Sequence, residues 1–430
     1  MPSRCRQRAV LALVEFERAG TTDRPAWSLD ERLAELRELV RSAGAIAVGS
    51  VWQRRERPDP ALFIGPGKVD ELAEQCQALT ADLVIFDHDL SPAQVRNLEA
   101  RLGVGVIDRS QLILDIFAQR AQSREGKLQV ELAQLRYLLP RLSGRGIDLS
   151  RLGGGIGTRG PGETKLETDR RRVRRRIQEL SRELAKIQQH RRIRRRRRED
   201  AQQPVIAMVG YTNAGKSTLL RTLAGADTLV EDRLFATLDP KTRRLPLPNG
   251  VQALLTDTVG FIRDLPHALV AAFRATLEEV VEADLLLHVV DVSHPNAPET
   301  IRVVHQVLAE LGAEHKPVVT ALNKIDRLEG QPLPAAFAAL PHAVPVSALH
   351  GQGLDALRQT LARLLAAGRR RLRVEIPYPH LDLLHWIYRH GDVLEAHYAA
   401  DCVEVLADVS AVAVGQLEER LARLAPPAGR

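Results

Sequence analysis

The pattern of apolar and polar positions divides the chain into four parts, of which the first covers residues 1–122. Short apolar runs alternate there with segments of helical periodicity. The runs predicted as strands are residues 8–16, 45–52, 61–65, 82–87 and 104–108. The segments predicted as helices are residues 29–41, 68–79 and a stretch that opens at Ser91-Pro92, a cap followed by a first-turn proline. This alternation predicts a small N-terminal α/β domain.

Residues 123–200 carry apolar side chains at the three- and four-residue spacing of helices. The first helix presents Leu128, Leu132, Leu135 and Leu139, and the second presents Leu166, Val173, Ile177, Leu180, Leu184 and Ile187. This spacing predicts an antiparallel helical hairpin with a coiled-coil-like seam. The Gly-rich loop at residues 143–165 joins the two helices. It is either a flexible connector or a probe that orders on a partner, and its flanking arginines favour the probe.

The third part, residues 201–368, has the strand–loop–helix order of a nucleotide-binding domain. Strands are predicted at residues 204–209, 253–256 and 318–322, and a helix opens at residues 219–223. The last part, residues 369–430, begins with three arginines. Its pattern predicts a small C-terminal α+β domain, with strands at residues 372–376 and 402–406 and helices at residues 381–389 and 414–424.

A Gly-rich stretch directly after the strand at residues 204–209 fits the template of Gly, four residues and Gly-Lys-Ser/Thr. It consists of Gly210, Tyr211, Thr212, Asn213, Ala214, Gly215, Lys216, Ser217 and Thr218. Glycines let the backbone wrap phosphates closely, and the following helix N-terminus adds positive potential. We expect Lys216 to bridge the β- and γ-phosphates and Ser217 to give its hydroxyl to Mg²⁺. A turn that binds nothing is the alternative, which the complete strand–loop–helix context disfavours.

Two stretches downstream have the residues that a triphosphate and its metal require. They are Phe235, Ala236, Thr237, Leu238 and Asp239, and then Asp257, Thr258, Val259 and Gly260. We expect Thr237 to reach Mg²⁺ and the γ-phosphate, and Asp257 to hold the metal through water. The N–H of Gly260 would sense the γ-phosphate. Thr237, Gly260 and the next residue, Phe261, are therefore the predicted switch positions.

Two further stretches point to the guanine base. They are Asn323, Lys324, Ile325 and Asp326, and then Ser347, Ala348 and Leu349. A carboxylate at Asp326 can accept both N1–H and N2–H₂ of guanine, which adenine does not offer. Backbone N–H groups at residues 347–349 would contact O6. A buried donor–acceptor mismatch costs on the order of 10⁴-fold, so GTP is predicted over ATP. Together these patterns predict a P-loop GTPase domain within an α/β chain.

The net charge of +7 is unevenly distributed. Residues 170–198 contain fifteen Lys and Arg against two Glu, and so dense a run needs a counter-charge such as a phosphate backbone. Aromatic residues make up only 4%, which argues against base stacking and favours structured RNA read by phosphate and shape. The predicted RNA-binding residues are Arg151, Arg159, Lys165, Arg170, Arg171, Arg172, Arg174, Arg175 and Arg176. A solvated charged helix is the alternative.

Composition also bears on location. Cys5, Cys76 and Cys402 lie far apart without metal-type spacing, which suits a reducing compartment. No window approaches the roughly 20 uncharged apolar residues of a membrane span. We therefore expect a cytoplasmic protein without a membrane span, and we expect it to be monomeric.

The ordered motifs resemble those of the HflX family of translational GTPases. The resemblance is carried by GYTNAGKST, FATLDP, DTVGFI, NKID and SAL, by GGGIGTRGPGETKLETDRR, and by GPGKVDEL, DLSPAQVRNLE and KLQVELAQLRYLLPRL. It covers residues from about 61 to 366. It implies a GTPase that engages the large ribosomal subunit and its RNA, with the Gly-rich loop reaching toward the peptidyl-transferase centre. It also implies a role in splitting stalled or idle ribosomes, notably under heat stress.

Phe261 occupies the position where many GTPases have a glutamine that orients the attacking water. An apolar side chain cannot orient water, so slow intrinsic, ribosome-stimulated hydrolysis is expected, with GTP as the switch. Three alternatives stay open. They are a ribosome-assembly GTPase, a signalling switch with protein partners only, and an ATP-dependent RNA remodeller acting through the N-terminal domain. For the last, Gly65-Pro66-Gly67-Lys68 resembles a phosphate loop only faintly, and a plain turn into a helix is the preferred interpretation.

Overall fold

The structure is a computed structural model, and it describes residues 6–16, 27–142, 165–200, 203–225, 234–235, 239–248, 250–264, 277–328, 332–334, 337, 339–367, 369–410 and 417. Several predicted features lie outside these residues. They are most of the Gly-rich loop with Arg151 and Arg159, the residues Ala236, Thr237 and Leu238, and nearly all of the helix expected at 414–424.

The N-terminal part forms a four-stranded parallel sheet in the order β2-β1-β3-β4. Its elements are β1 (Arg8–Phe16), α1 (Leu29–Ser42), β2 (Ile46–Arg55), α2 (Pro66–Ala78), β3 (Leu83–Phe86), α3 (Pro92–Leu102), β4 (Gly105–Asp108) and α4 (Arg109–Arg120). Apolar residues of α1 and α4 share one core with the sheet, and those of α2 and α3 share another. The predicted α/β fold is confirmed, and so is the cap at Ser91, whose hydroxyl accepts from Gln94 N.

The strand predicted at residues 61–65 is wrong. The Asp59 carboxylate accepts the N–H groups of Ala61 and Leu62 at 2.8 and 2.9 Å, which closes a turn. Phe63 follows with a φ of 67°, a conformation that strands exclude. The apolar run instead supplies Leu62, Phe63 and Ile64 to the core. Its hydrophobicity therefore reflects burial and does not indicate a strand.

The predicted hairpin seam is present between α5 (Arg124–Arg141) and α6 (Lys165–Asp200). Leu128 and Leu132 of α5 pack against Leu180 and Leu184 of α6, with Leu135, Ile177 and Ile187 alongside. At the far end of α5, Arg141 donates to Asp108 of the N-terminal sheet at 2.8 Å. The hairpin is therefore attached to the N-terminal domain along α5.

The nucleotide-binding part is a six-stranded sheet in the order β10-β9-β8-β5-β7-β6. Its elements are β5 (Val205–Val209), α7 (Lys216–Ala224), β6 (Lys241–Pro246), β7 (Gln252–Asp257), β8 (Leu285–Asp291), α8 (Ala297–Glu310), β9 (Val318–Asn323), β10 (Ala343–Pro345) and α9 (Leu354–Ala367). Only the pairing of β6 with β7 is antiparallel among the described strands of this sheet. Its carboxyl-end edge carries the predicted nucleotide motifs.

The C-terminal part is an antiparallel sheet in the order β11-β13-β12, and a helix packs on it. It comprises β11 (Arg369–Pro377), α10 (Leu381–His390), β12 (Gly391–Tyr398) and β13 (Cys402–Ser410). Ile387 of α10 packs on Ile376, Val403 and Val405. The α+β prediction is confirmed, although β12 was not predicted. Among the described helices, none is both long and apolar enough to cross a bilayer.

Candidate nucleotide site

The phosphate loop between β5 and α7 depends on two glycines. Gly215 has a φ of +95°, and a Cβ there would lie 2.3 Å from Asn323 Nδ2. A Cβ on Gly210 would lie 2.3 Å from the carbonyl oxygen of Val289, which is backbone and cannot yield. Only glycine therefore fits either position, and the loop comes close to both β8 and the NKID segment.

Lys216 begins α7, and its ammonium group is directed back over the loop. Its Nζ donates to the carbonyls of Gly210 at 3.0 Å and Tyr211 at 2.8 Å. Burial lowers the pKa of Lys216 to about 8, with Asp257 opposing and Lys324 adding to the effect. The amine is thus held in a dry cradle of oxygen atoms, where a charge interacts strongly with a bound anion.

The DTVGF segment lies alongside the loop and is joined to it by backbone hydrogen bonds. Phe261 N donates to Gly210 O at 3.1 Å, and Thr212 N donates to Phe261 O at 2.8 Å. Gly260 has no room for a side chain, since a Cβ would lie 2.9 Å from Thr212 Cα. Ser217 Oγ donates to Asp257 Oδ2 at 2.7 Å, so the two predicted metal-binding groups are adjacent. The Phe261 side chain is buried among Val209, Leu277 and Val280.

The residues predicted to contact the base form one connected group. Asn323 Nδ2 donates to Ala214 O at 2.8 Å, and its Oδ1 accepts from Ala348 N at 3.0 Å. Lys324 donates to Asn213 O at 2.8 Å. Asp326 Oδ1 accepts from Ser347 Oγ at 2.6 Å. The NKID and SAL segments, 25 residues apart at Asn323 and Ala348, are therefore brought together beside the phosphate loop. Leu349 is exposed, and Ile325 opens a short 3₁₀ turn.

Phe235 and Asp239 both contact the N-terminal half of the chain. The Phe235 ring is buried and lies edge-on to Phe117 of α4, with 4.6 Å between ring centroids. The Asp239 carboxylate accepts the N–H groups of Gln122 and Ser123 at 3.0 and 2.8 Å, at the start of α5. The structure thus attaches both flanks of the FATLD segment to the N-terminal half of the chain.

Sequence reasoning missed an ionic cluster between the N-terminal domain and the nucleotide site. We define the ionic cluster as Arg32, Glu35, Asp87, Arg109 and Arg263. Asp87 and Arg109 immediately follow β3 and β4, at the carboxyl-end edge of the parallel sheet where polar groups gather. Their position directly after two strands was the sequence signal that could have indicated this cluster. Arg263 comes two residues after Phe261, so the cluster joins the DTVGF segment to the N-terminal sheet.

Tyr211 connects the phosphate loop itself to this cluster. Its hydroxyl donates to Glu35 and accepts from Arg263 N at 3.0 Å. Its ring stacks on Trp27, with 5.9 Å between centroids. Burial, and then the charge of Glu35, raises the pKa of Tyr211 well above its usual value, so the hydroxyl keeps its proton.

Asp87 is the most buried carboxylate of the cluster. Its oxygens accept from Arg109 Nη1 at 2.8 Å, from Arg32 Nη2 at 2.8 Å and from Arg263 Nη2 at 3.2 Å. Burial favours the neutral acid, but the charges of Arg109, Arg263 and Arg32 outweigh burial and lower the pKa of Asp87. The neighbouring His88 has a pKa lowered to about 4, chiefly by burial and then by Arg32. Asp87 is therefore ionised at neutral pH, and His88 is neutral.

The basic helix α6 presents most of its predicted RNA-binding arginines to solvent. Arg171, Arg172, Arg174 and Arg175 are exposed. Arg170 and Arg176 are half-buried. Arg176 is engaged within the hairpin, because its Nε donates to Glu131 of α5 at 2.8 Å. The side chain of Lys165, the first residue of α6, lies outside the described residues.

The class of protein follows from what adjoins the phosphate loop. Asn323, Lys324 and Asp326 lie at the end of a parallel strand beside it, and DTVG lies on its other side. This is the arrangement of a P-loop GTPase, and the fold prediction is confirmed. Family models for this class cover most of the chain. They are described as "GTP-binding GTPase N-terminal" at residues 30–118, "GTP-binding GTPase Middle Region" at 120–198, "50S ribosome-binding GTPase" at 205–324 and "HflX C-terminal domain" at 336–428.

Curated relatives of similar sequence belong to the same class of protein as the family models. A protein named GTPase HflX from Caldanaerobacter subterraneus subsp. tengcongensis is 49% identical over 392 residues, or 91% of this chain and 90% of the relative. GTPase HflX from Escherichia coli K12 is 48% identical over 78% of this chain and 79% of its own length. The chain belongs to the HflX family, and it is a GTPase. A GDP complex of a GTP-binding protein from Sulfolobus solfataricus is 27% identical over 83% of this chain and 98% of that one, with a TM-score of 0.43.

Proposed function

We propose that this GTPase binds the large ribosomal subunit through its basic hairpin and dissociates stalled or idle ribosomes, with GTP as the switch. The observation that carries the proposal is the exposed arginine face of α6 on a hairpin attached to a GTPase domain. The family model for the nucleotide-binding part is described as a 50S ribosome-binding GTPase, which supports the same partner. A ribosomal partner implies action in the cytoplasm, and the link to heat stress rests on the family.

Guanine selectivity rests on Asp326 in this proposal. Ser347 Oγ donates to Asp326 Oδ1, which leaves the second carboxylate oxygen available for the base and holds the side chain in orientation. Asn323 ties the phosphate loop to Ala348, whose segment would contact O6. We expect Asp326→Asn to lower GTP affinity by at least roughly 10²-fold and to favour xanthosine triphosphate, because the amide N–H matches its extra carbonyl. Asp355→Asn, which removes an exposed carboxylate of α9, is the control.

The oxygen groups beside Lys216 fit Mg²⁺. Ser217 and Asp257 offer a hydroxyl and a carboxylate 2.7 Å apart, and hard oxygen ligands suit this ion. In the proposal, Ser217 and Thr237 hold the metal directly and Asp257 holds it through water. When bound, the ion would neutralise charge on the β- and γ-phosphates. Lys216 would turn from the loop carbonyls to the phosphates, and the N–H of Gly260 would report the γ-phosphate.

The position of Phe261 supports the proposal of slow intrinsic hydrolysis. Its side chain is 2% exposed and packs in the core beneath the loop, so it neither orients a water molecule nor faces the phosphates. We propose that contact with the large subunit orders the hydrolytic site, in which Phe261 does not orient the attacking water. Single-turnover GTP hydrolysis, measured with and without large subunits, tests this. Strong stimulation is expected, and a fast basal rate that subunits do not change would refute slow intrinsic, ribosome-stimulated hydrolysis.

The ribosome contact has its own test. Replacing Arg171, Arg172, Arg174 and Arg175 by Ser removes four exposed charges from α6. Each lost phosphate contact reduces the steepness of the fall of log affinity with log salt by about 0.7–0.9, so the four substitutions should make the negative slope shallower by roughly 3. Replacing four exposed arginines of the N-terminal domain, Arg37, Arg54, Arg57 and Arg101, is the charge-matched control. Unchanged binding of the α6 variant to large subunits would refute the contact.

Ribosome profiles separate splitting from assembly. Loss of a splitting factor leaves surplus intact ribosomes under stress, whereas loss of an assembly factor leaves precursor subunits. Gradient sedimentation of purified ribosomes with the protein and a non-hydrolysable GTP analogue measures splitting directly. We expect free subunits to accumulate with the analogue and not with GDP.

A further inference from the structure

The segment that contains Thr237 is held at both flanks by the N-terminal half of the chain. On one side, Leu234 N donates to Ser42 Oγ of α1 at 3.1 Å, and the buried Phe235 ring packs on Phe117. On the other side, Asp239 contacts the start of α5. Thr237 is two positions along the sequence from Phe235 and two from Asp239, a span of at most about 7 Å of extended chain on each side.

Three residues at the start of α5, which we call the hairpin root, surround the Asp239 carboxylate and form a joint with it. They are Gln122, Ser123 and Gly126. The carboxylate accepts from Gln122 N at 3.0 Å, from Ser123 N at 2.8 Å and from the Ser123 hydroxyl. Ser123 is the N-cap of α5, and its Oγ also accepts from Gly126 N at 2.9 Å. A Cβ on Gly126 would lie 2.5 Å from Asp239 Oδ1, so glycine makes room for the carboxylate. The acid therefore extends the cap of an 18-residue helix, where a negative charge is favoured.

We propose that Asp239 is a coupling residue that transmits the position of Thr237 to the root of the RNA-binding hairpin, rather than a nucleotide ligand. Because at most about 7 Å of extended chain joins Thr237 to Asp239, any nucleotide-bound position of Thr237 farther than this from Asp239 must either pull on Ser123 or break the joint. Either outcome changes the first turn of α5. Suppose that exchanging GDP for GTP changes the affinity of α5 for a partner by some factor. By linkage, binding of that partner then changes the preference for GTP over GDP by the same factor. This inference rests on the proposed role of Thr237.

Hydrogen–deuterium exchange on the full-length protein tests the coupling without ribosomes. Exchange at residues 122–128 is compared with Mg²⁺ plus a non-hydrolysable GTP analogue and with Mg²⁺ plus GDP. We expect at least a fivefold difference in the wild type. In Asp239→Asn the difference should fall below twofold, because the carboxylate that joins the two segments is gone. Asp355→Asn, an exposed first-turn acid of α9, is the matched control and should keep the wild-type difference.

A double-mutant cycle supplies the second measurement. The ratio of affinities for the GTP analogue and GDP is measured in wild type, Asp239→Asn, Ser123→Ala and the double variant. If Asp239 acts through Ser123, the double variant should change the ratio no more than Asp239→Asn alone. Independent, multiplying effects would overturn the proposal, and so would equal exchange of residues 122–128 with both nucleotides in the wild type. Residues 210–218 report nucleotide binding in the same exchange data, so a failed nucleotide site and a failed coupling give different patterns.

Discussion

The ionic cluster provides the sharpest test of how the N-terminal domain is held against the nucleotide site. The perturbation is Asp87→Asn, which removes one charge and keeps the side-chain volume. The cluster brings together three guanidinium groups and two carboxylates. After the change, Glu35 is the one carboxylate of the cluster left to balance three positive charges. An amide N–H would also point at a guanidinium, so we expect the interface to weaken.

The magnitude follows from burial. The side chain of Asp87 is 0% exposed, that of Arg109 is 2% exposed and that of Arg263 is 12% exposed. Removing one member of a buried pair costs about 3–5 kcal/mol, because the remaining charges stay out of water. An exposed pair contributes about 0–1 kcal/mol. Asp264 offers that comparison within the same site, since it is 66% exposed and lies 2.6 Å from Arg263 Nη1. We therefore expect Asp87→Asn to raise the equilibrium constant for opening the interface roughly 10²- to 10³-fold more than Asp264→Asn does.

Trp27 reports the opening of this interface, because it stacks on Tyr211 beside Arg263. Replacing Trp52 and Trp386 by Phe leaves Trp27 as the one tryptophan of the chain. Urea titration then gives the interface transition from Trp27 fluorescence, and circular dichroism gives the loss of secondary structure. Asp264 has a φ of 51°, which asparagine adopts readily, so the control substitution adds no backbone strain.

Two outcomes would refute the reasoning. If both variants shift the Trp27 transition equally, Asp87 contributes no more than a surface charge and the buried cluster does not hold the interface. If Asp87→Asn shifts the circular dichroism transition while Trp27 fluorescence still reports a closed interface, the carboxylate stabilises the N-terminal sheet alone. A selective, large shift of the Trp27 transition is the expected result.

The remaining predictions concern two glycines, Phe261 and the dependence of stability on pH. Gly210→Ala should lower GDP affinity at least tenfold in a titration, because its Cβ meets backbone at 2.3 Å, whereas Gly225→Ala, with φ +63° and open space, should cost only about 1–2 kcal/mol of stability. Phe261→Gln should not raise basal hydrolysis and should destabilise the domain by about 3 kcal/mol or more, because the side chain faces the core. His88 and His288 have pKa values lowered to about 4 and about 3, chiefly by burial, so the unfolded chain binds more protons below pH 6.5. Stability should therefore fall as the pH is lowered from about 6.5 to about 4, and a urea midpoint no lower at pH 5 than at pH 7 would contradict this.

Several buried elements were predictable from the sequence because their patterns are local. The phosphate loop, the parallel strands before DTVG and NKID, and the hairpin seam all lie where the periodicity indicates. The buried central strand β8 was not among the predicted elements. The strands β6 and β12 were missed because each lies at the edge of its sheet and carries charged residues. Charges protect edges from unwanted pairing and at the same time weaken the alternation that identifies a strand.

The contacts between domains could not be predicted, because they join distant parts of the chain. Arg109 donates to the carbonyl of Arg263 across 154 positions, and Tyr211 reaches Glu35 across 176. An arginine in a sequence is exposed by default, and nothing local indicates that Arg109 is 2% exposed. Asp239 shows the same limit. Its place in FATLDP suggested the nucleotide, whereas its contacts lie at the root of α5.

The contact between the N-terminal sheet and the DTVGF segment is made by charged side chains, and this affects the cost of separating them. In parallel sheets, the crevice at the carboxyl ends of the strands where the order reverses is the usual ligand site. Here β1 and β3 flank that reversal, and the guanidinium of Arg263 lies there against Asp87. An apolar contact would lose its stabilisation when separated, while these ions regain hydration on opening, so a buried ionic interface separates at a lower cost than its number of contacts suggests. Separation at Arg263 would release the DTVGF segment and leave the contact of Asp239 with the start of α5 in place. The two attachments use different residues, so one can open while the other stays closed.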